Sequence, residues 1–241
     1  MSRKTESGKW KVESWKNKKA VVLSSGGLDS TTALYWASAQ GYQPYCLIID
    51  YGQRHRREIQ SAEKIAQLKK IPYQILRCEL PWGGSALLDK TEDLPKGRSY
   101  EEMAAEIPST YVPARNTLFL SFALSWAEAI RAEAIVIGAN QLDCSGYPDC
   151  RKDFFDAFEK VVETGTKIGI EGKPIRIIAP LLKKTKADII RLGRQLGVRF
   201  EWTWSCYQGG DTPCGECDSC RLRAKGFEEA GARDLSYAAS R

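Results

Sequence analysis

The sequence lacks the features that mark secreted or membrane proteins. It contains no apolar run near the ~18 residues needed to cross a bilayer. Residues 1–19 are polar and lysine-rich, and they lack the apolar core of an export signal. We therefore expect a soluble, cytoplasmic protein without a membrane partner.

Positive charge is present only in modest excess. The formal net charge is +6, and the lysines and arginines are interspersed with acidic residues rather than gathered in one block. Such a distribution does not require nucleic acid, because a polyanionic small molecule such as ATP suits it equally well. We expect no nucleic-acid partner.

Short apolar runs alternate with amphipathic segments from Lys19 onwards. This alternation is typical of α/β proteins, and an apolar content of 43% suffices for a sizeable core. We predict a doubly wound, mostly parallel five-stranded sheet. The predicted strands are 20–24, 45–50, 73–78, 134–138 and 175–180, and the predicted helices are 30–39, 54–69, 115–131, 152–164 and 185–196.

Composition divides the chain into three parts. Residues 1–18 form a polar N-terminal extension without periodicity, 19–200 form the α/β domain, and 201–241 form a cysteine-containing C-terminal segment. Within the domain, 79–112 is rich in proline and glycine. We predict that this stretch leaves the core and is a candidate lid over a site.

A serine- and glycine-rich string, 24–31 (SSGGLDST), follows the first predicted strand. Backbone N–H groups and the positive end of a helix dipole would there surround an anion, with glycines permitting close approach. It is not a Walker A loop, because no lysine precedes its last Ser or Thr. A plain capped turn is the alternative. The string resembles the phosphate loop of the PP-loop, or N-type, ATP pyrophosphatases, which cleave ATP between the α- and β-phosphates.

Four of the eight cysteines lie close together near the C-terminus, at Cys206, Cys214, Cys217 and Cys220. Glycines and a proline between them supply the turns that would let the four thiolates converge. Such a set suits tetrahedral Zn²⁺, and an iron–sulfur cluster is the alternative. Because no position is left for water, we predict a structural zinc site.

Three further strings accompany these motifs: 50–55 (DYGQRH), 111–117 (YVPARNT) and 146–151 (GYPDCR). Together with the glycine loop and the cysteines, they resemble the 7-cyano-7-deazaguanine synthase family of queuosine biosynthesis over about residues 19–228. The resemblance implies that 7-carboxy-7-deazaguanine, ammonia and ATP are converted to the nitrile preQ0 through activated carboxylate and amide intermediates. His55 is the only histidine and no Cys-His-Glu triad is present, which favours free ammonia over glutamine.

The resemblance implies a nucleotide site, with Mg²⁺ accompanying ATP. Arg115 and Asn116 open a helix after Pro113, where they can face an anion, although a surface arginine with a capping asparagine is the plain alternative. Lys186 could neutralise pyrophosphate, although a lysine-rich helix start is often only solvated. We predict Asp29, Ser30, Arg115 and Lys186 as catalytic residues, and Leu23, Ser24, Ser25, Gly26, Gly27, Leu28, Asp29, Ser30, Thr31, Asp50, Tyr51, Gln53, Arg115 and Asn116 as the nucleotide site.

A guanine-like base presents two adjacent donors that one carboxylate can accept. We predict Asp143 or Asp149 for this role, with Tyr147 stacking on the base and Arg151 pairing with the substrate carboxylate. A homodimer is expected from the resemblance alone.

Three other functions stay open. A tRNA-modifying PP-loop enzyme would carry an additional RNA-binding domain. A relative that conjugates a deazapurine carboxylate to a protein amine would share nearly the same site. A zinc-ribbon interaction module would not need an intact glycine loop.

Overall fold

Five short strands form one parallel sheet in the computed structural model, which describes residues 17–54, 56–89, 91–141 and 147–236. The strand order is β3-β2-β1-β4-β5, and all four pairings are parallel. The predicted sheet is therefore confirmed. The strands are β1 (Lys19–Leu23), β2 (Gln43–Asp50), β3 (Tyr73–Arg77), β4 (Ala134–Ile137) and β5 (Arg176–Ile178).

Helices cover both faces of this sheet. Along β1, Ala20 and Val22 point to one apolar layer, whereas Val21 and Leu23 point to the other, as the two-residue period of a strand requires. The first layer contains α1, α2, α7 and α8, and the second contains α4 and α5. The helices are α1 (Leu28–Ala39), α2 (Arg57–Leu68), α3 (Tyr100–Ala105), α4 (Arg115–Ala129), α5 (Lys152–Gly165), α6 (Lys167–Ile170), α7 (Lys186–Gln195) and α8 (Asp218–Glu229).

The strand order places a crevice beside the central strand. The chain leaves β1 towards β2 on one side and later returns to β4 on the other, so the connections diverge at the carboxyl ends of β1 and β4. In open α/β sheets, ligands bind at this switch point.

The excursion at 79–112 is docked onto the body of the protein. Leu80, Leu87 and Val112 are buried in the core layer of α4 and α5. The backbone N–H of Gly97 donates to the carbonyl of Glu216 at 3.1 Å, so the excursion also contacts the cysteine segment. Whether it moves as a lid stays a prediction.

The C-terminal segment packs against the sheet domain. Helix α8 contacts α7, and Phe227 of α8 lies edge-to-face on Phe200 at 5.4 Å between ring centroids. Residues on both sides of the boundary predicted at 200/201 therefore share one apolar core. The division of the chain at this boundary stays a prediction. Residues 1–16 of the predicted N-terminal extension lie outside the described residues.

Within the part of the chain that the structure describes, every helix is too short or too polar to traverse a bilayer.

Candidate functional site

A cavity of about 270 Å³ opens at the carboxyl ends of β1 and β4, where the strand order reverses. Its floor consists of the strand ends and its walls come from α1, α2, α4, α7 and α8. The lining residues are Leu23, Ser24, Ser25, Gly27, Leu28, Asp29, Ser30, Leu47, Ile49, Tyr51, Glu58, Leu87, Arg115, Asn116, Phe119, Ile137, Gly138, Ala139, Asn140, Tyr147, Cys150, Lys186, Trp204, Ser205, Tyr207, Ser219, Leu222 and Arg223.

The loop between β1 and α1 is held by its own serines. The Ser25 and Ser30 hydroxyls are 3.0 Å apart, and the backbone N–H of Ser25 donates to Ser30 Oγ at 3.2 Å. Gly27 is the N-cap of α1 and has no side chain to satisfy the N–H groups of the first turn. Because these donors and the helix dipole meet at the cavity, this end of α1 can hold phosphate oxygens.

Two glycines beside the cavity allow helices to approach the strand ends closely. Gly26 has φ of +80°, and a Cβ there would lie 2.1 Å from the carbonyl oxygen of Glu58 in α2. Its small size therefore serves the contact with α2 rather than a ligand. Gly138, directly after β4, likewise lies close to α1, because a Cβ there would lie 2.8 Å from the backbone nitrogen of Ser30.

Lys186 and Asp29 form an ion pair at the cavity wall. The ammonium donates to both carboxylate oxygens, at 2.9 and 2.8 Å, and the side chains are 15% and 24% exposed. Lys186 is the first residue of α7, whose start is fixed by a capping box between Thr185 and Asp188. The pair joins the first turn of α1 to the first turn of α7, 157 residues away in sequence.

Arg115 enters the cavity from the start of α4. Its guanidinium donates to the Tyr51 hydroxyl at 3.2 Å and lies 5.9 Å from the ring centroid of Phe119. Ala114 before it adopts a left-handed conformation, with φ of 52° and ψ of 25°. Burial raises the pKa of Tyr51, which keeps its hydroxyl neutral. The positive charge of Arg115 is therefore available to an anion.

The four C-terminal cysteines converge. Their sulfur atoms all lie within 4.8 Å of one another, and the sulfurs of Cys214 and Cys220 are 3.9 Å apart. A tetrahedral site with zinc–sulfur bonds of about 2.3 Å needs sulfurs about 3.8 Å apart. Thiol donors from Cys217 and Cys220 hold the pKa of Cys206 well below its usual range. The four sulfurs therefore have the geometry to hold a metal ion.

The cysteine segment also builds one wall of the cavity. Ser219, Leu222 and Arg223 of α8 line it, spaced three and four residues apart on one helix face. Arg223 is 2% exposed, and its guanidinium donates to Thr203 Oγ1 at 2.8 Å and to Ser205 Oγ at 3.1 Å. The segment thus contributes residues to the cavity as well as the cysteine cluster.

Residues 19–231 match the family model described as "Queuosine biosynthesis protein QueC". The chain belongs to the QueC family. It is 56% identical over 223 residues to a 7-cyano-7-deazaguanine synthase of Nostoc sp., covering 91% of this chain and 97% of that relative. It is 52% identical over 221 residues to one from Thermoplasma acidophilum, covering 91% and 92%.

Most of the predicted nucleotide residues line the cavity of this QueC protein, and four do not. Gly26 packs against α2, and Thr31 is buried within α1. Gln53 is 3% exposed, accepts the backbone N–H of Tyr51 at 2.9 Å and donates to Glu58 at 3.1 Å, so it shapes the turn after β2. The carboxylate of Asp50 accepts the backbone N–H of Gly52 at 3.4 Å.

The predicted base-recognition residues separate into different environments. Tyr147 lines the cavity, and its hydroxyl lies 3.1 Å from Thr110 Oγ1. Asp149 is 6% exposed and accepts the backbone N–H of Asn116 at 3.0 Å, so it caps α4 rather than facing the cavity. Arg151 is exposed and lies outside the lining, whereas Asp143 falls outside the described residues.

Several residues that line the cavity were not predicted from the sequence. Gly138 and Asn140 follow β4, and their position at the carboxyl end of a predicted strand was a usable signal. The amide of Asn140 donates to the carbonyl of Lys184 at 2.6 Å, which links the β4 loop to the approach to α7. Trp204, Ser205 and the α8 residues carried no such signal, because only the fold brings them to the crevice.

Proposed function

We propose that this QueC-family enzyme converts 7-carboxy-7-deazaguanine, ammonia and ATP into 7-cyano-7-deazaguanine. The observation that carries the proposal is the convergence of an uncapped helix start, Arg115 and the Asp29–Lys186 pair in one cavity at the switch point. The relatives named 7-cyano-7-deazaguanine synthase support this substrate and product.

The reaction needs its carbonyl oxygen activated twice. Attack of the substrate carboxylate on the α-phosphorus of ATP gives an acyl adenylate and pyrophosphate. Ammonia displaces AMP to give the amide, with loss of one proton. Attack of the amide oxygen on a second ATP releases pyrophosphate again, and loss of AMP and of the remaining nitrogen-bound protons leaves the nitrile. No protein nucleophile is required, so the site must mainly position groups and stabilise charge.

The residues of the loop suit the phosphate end of ATP. The N–H groups at the start of α1 and the hydroxyls of Ser25 and Ser30 would hold the β- and γ-phosphates. Lys186 would neutralise charge on the departing pyrophosphate, while Asp29 fixes the ammonium or takes a place beside Mg²⁺. Arg115, on the opposite wall, would hold the α-phosphate or the substrate carboxylate.

The aromatic side of the cavity suits the base. Tyr147 would stack on the deazapurine, and Asp143 keeps its predicted role of accepting the N1–H and the 2-amino group. Asp149 would act indirectly, because its carboxylate holds the start of α4, where Arg115 and Asn116 lie.

Zinc is the proposed metal of the cysteine cluster and Mg²⁺ the proposed companion of ATP. The four-sulfur donor set favours zinc, and its role would be to hold α8 in place. Free ammonia as nitrogen donor, a cytoplasmic location, a homodimeric state and the absence of a nucleic-acid partner complete the proposal.

The testing experiment incubates purified protein with Mg-ATP, 7-carboxy-7-deazaguanine and ammonium, and follows the deazapurine by mass. The expected result is conversion of carboxylate to amide and then to nitrile. An unchanged carboxylate would refute the proposal, and conversion that requires a protein amine instead of ammonium would point to a conjugating enzyme. Chromatography of the nucleotides should show AMP and pyrophosphate, and ADP as sole product would contradict the adenylate route.

A further inference from the structure

Helix α8 passes very close to the side chain of Lys186. At Gly226 a Cβ would lie 2.3 Å from Lys186 Cγ, 2.8 Å from Lys186 Cβ and 3.0 Å from Ile190 Cδ1. Gly226 is buried in the interior of α8. Contact between non-bonded carbons is normally about 3.5–4.0 Å, so no other residue fits here without movement.

The glycine has no conformational reason to be there. Gly226 is not among the residues with positive φ, and glycine is a poorer helix former than alanine in a helix interior. What its absent side chain provides is room for the stem of Lys186. That stem places the ammonium between both oxygens of Asp29 at the cavity wall.

We propose that Gly226 is a positioning residue for Lys186, and that the cysteine segment sets the position of this lysine through α8. The first turn of α8 is fixed by the cluster, because Cys217 is its N-cap and Cys220 is its third residue. The path therefore runs from the cysteines along α8 to Gly226, and from there to Lys186 and Asp29. The inference rests on the proposed role of Lys186 in ATP cleavage.

The size of the effect follows from the geometry. Restoring normal contact after Gly226→Ala moves the lysine stem by about 1 Å, and a misplacement of that size near reacting groups can lower a rate by about 10²-fold. The ammonium would also leave its two-oxygen contact with Asp29.

The test compares Gly226→Ala, Lys186→Ala and the double variant in the full-length protein. We expect Gly226→Ala to lower kcat for nitrile formation about 10²-fold, with metal content and cooperative unfolding retained. In the Lys186→Ala background, Gly226→Ala should change kcat by less than about twofold, because the group through which it acts is already gone. Equal losses in both backgrounds would overturn the inference.

A second readout does not depend on turnover. Trace labelling of the native protein with an amine-reactive reagent, followed by peptide mass spectrometry, reports how well Lys186 is held. We expect labelling of Lys186 to become several-fold faster in Gly226→Ala, while Lys160, which is 76% exposed, stays unchanged. An unchanged Lys186 rate would overturn the inference even in an enzyme without the proposed activity.

The matched control is Gly165→Ala at the end of α5, where the nearest atom to an added Cβ is 3.8 Å away. It should retain wild-type kcat and Lys186 labelling. If Gly226→Ala does not fold, Gly226→Ala combined with Ile190→Val removes the methyl group 3.0 Å away and keeps the lysine contact. Wild-type turnover in either folded variant, while Lys186→Ala has lost it, would refute the positioning role and leave the proposed reaction intact.

Discussion

Replacing Asp29 by asparagine should cost the enzyme most of its rate while leaving it folded. The substitution keeps the shape of the side chain but removes its negative charge. In the wild-type protein both carboxylate oxygens of Asp29 accept hydrogen bonds from the Lys186 ammonium, at 2.8 and 2.9 Å. A hydrogen bond to a charged group contributes about 1.5–3 kcal/mol, and both partners are less than one quarter exposed. If the pair positions the ammonium in the transition state, kcat should fall by about 10- to 150-fold.

The assay is steady-state nitrile formation at saturating ATP, with kcat and KM for ATP measured separately. Asp156→Asn is the control, because that carboxylate pairs with Lys152 on the exposed face of α5. A rise in KM with unchanged kcat would mean that Asp29 stabilises the bound ground state and the transition state equally, so that it aids binding but not the chemical step. An unchanged kcat and KM would refute the role of the ion pair altogether.

Three further predictions concern other parts of the site. Arg115→Lys keeps the charge but loses the planar fork that pairs with phosphate or carboxylate, so kcat/KM should fall at least about 10-fold without a change in Tm; a wild-type value would contradict the assignment. Cys217→Ser should abolish stoichiometric zinc in elemental analysis and destabilise the protein by several kcal/mol in urea, whereas Cys46→Ser should leave the zinc content unchanged. Burial raises the pKa of Asp149 above its ordinary 3.8, so the folded state holds this proton more strongly than the unfolded state, and the free energy of unfolding of the wild-type protein falls as pH rises above that value. The free energy of unfolding of Asp149→Asn, measured relative to wild type in urea titrations, should therefore increase from acidic to neutral pH, and the same pH dependence in both proteins would contradict this reasoning.

The periodicity of the apolar residues sufficed to predict the sheet. The position of the string 24–31 after the first strand sufficed to predict that this loop lies at the cavity. The five predicted strands appear at 19–23, 43–50, 73–77, 134–137 and 176–178 because their apolar runs are short and separated by helical segments. The string 24–31 could be singled out from its local sequence, and most of its residues line the cavity. These features depend on neighbours in the chain.

Side-chain direction and long-range packing could not be predicted in the same way. Asp149 was expected at the base, yet its carboxylate turns to the backbone N–H of Asn116, 33 residues away. Gln53 likewise turns inward to Tyr51 and Glu58. Both are polar residues that lie near backbone N–H groups or buried polar side chains in need of a hydrogen-bond partner. Only the folded chain shows which of these groups each residue bonds.

The clearest consequence of long-range packing is the place of the cysteine segment. From the sequence, its four thiols predict only a C-terminal segment that a metal ion stabilises. In the structure, the ring of Trp204 lies 4.4 Å from the guanidinium carbon of Arg57 in α2, and Trp204 donates its backbone N–H to Gly26 in the phosphate loop at 3.0 Å. The same segment holds the excursion through Glu216.

Loss of the metal should therefore act on the phosphate loop before it unfolds the domain. Both apolar layers of the sheet consist mostly of residues before 201, whereas the contact with Gly26 depends on how residues 204–206 enter the cluster at Cys206. Mild chelation should raise KM for ATP while the far-ultraviolet circular dichroism of the sheet domain persists, and re-added zinc should restore binding. Simultaneous loss of the spectrum and of ATP binding would show instead that the segment and the domain form one cooperative unit.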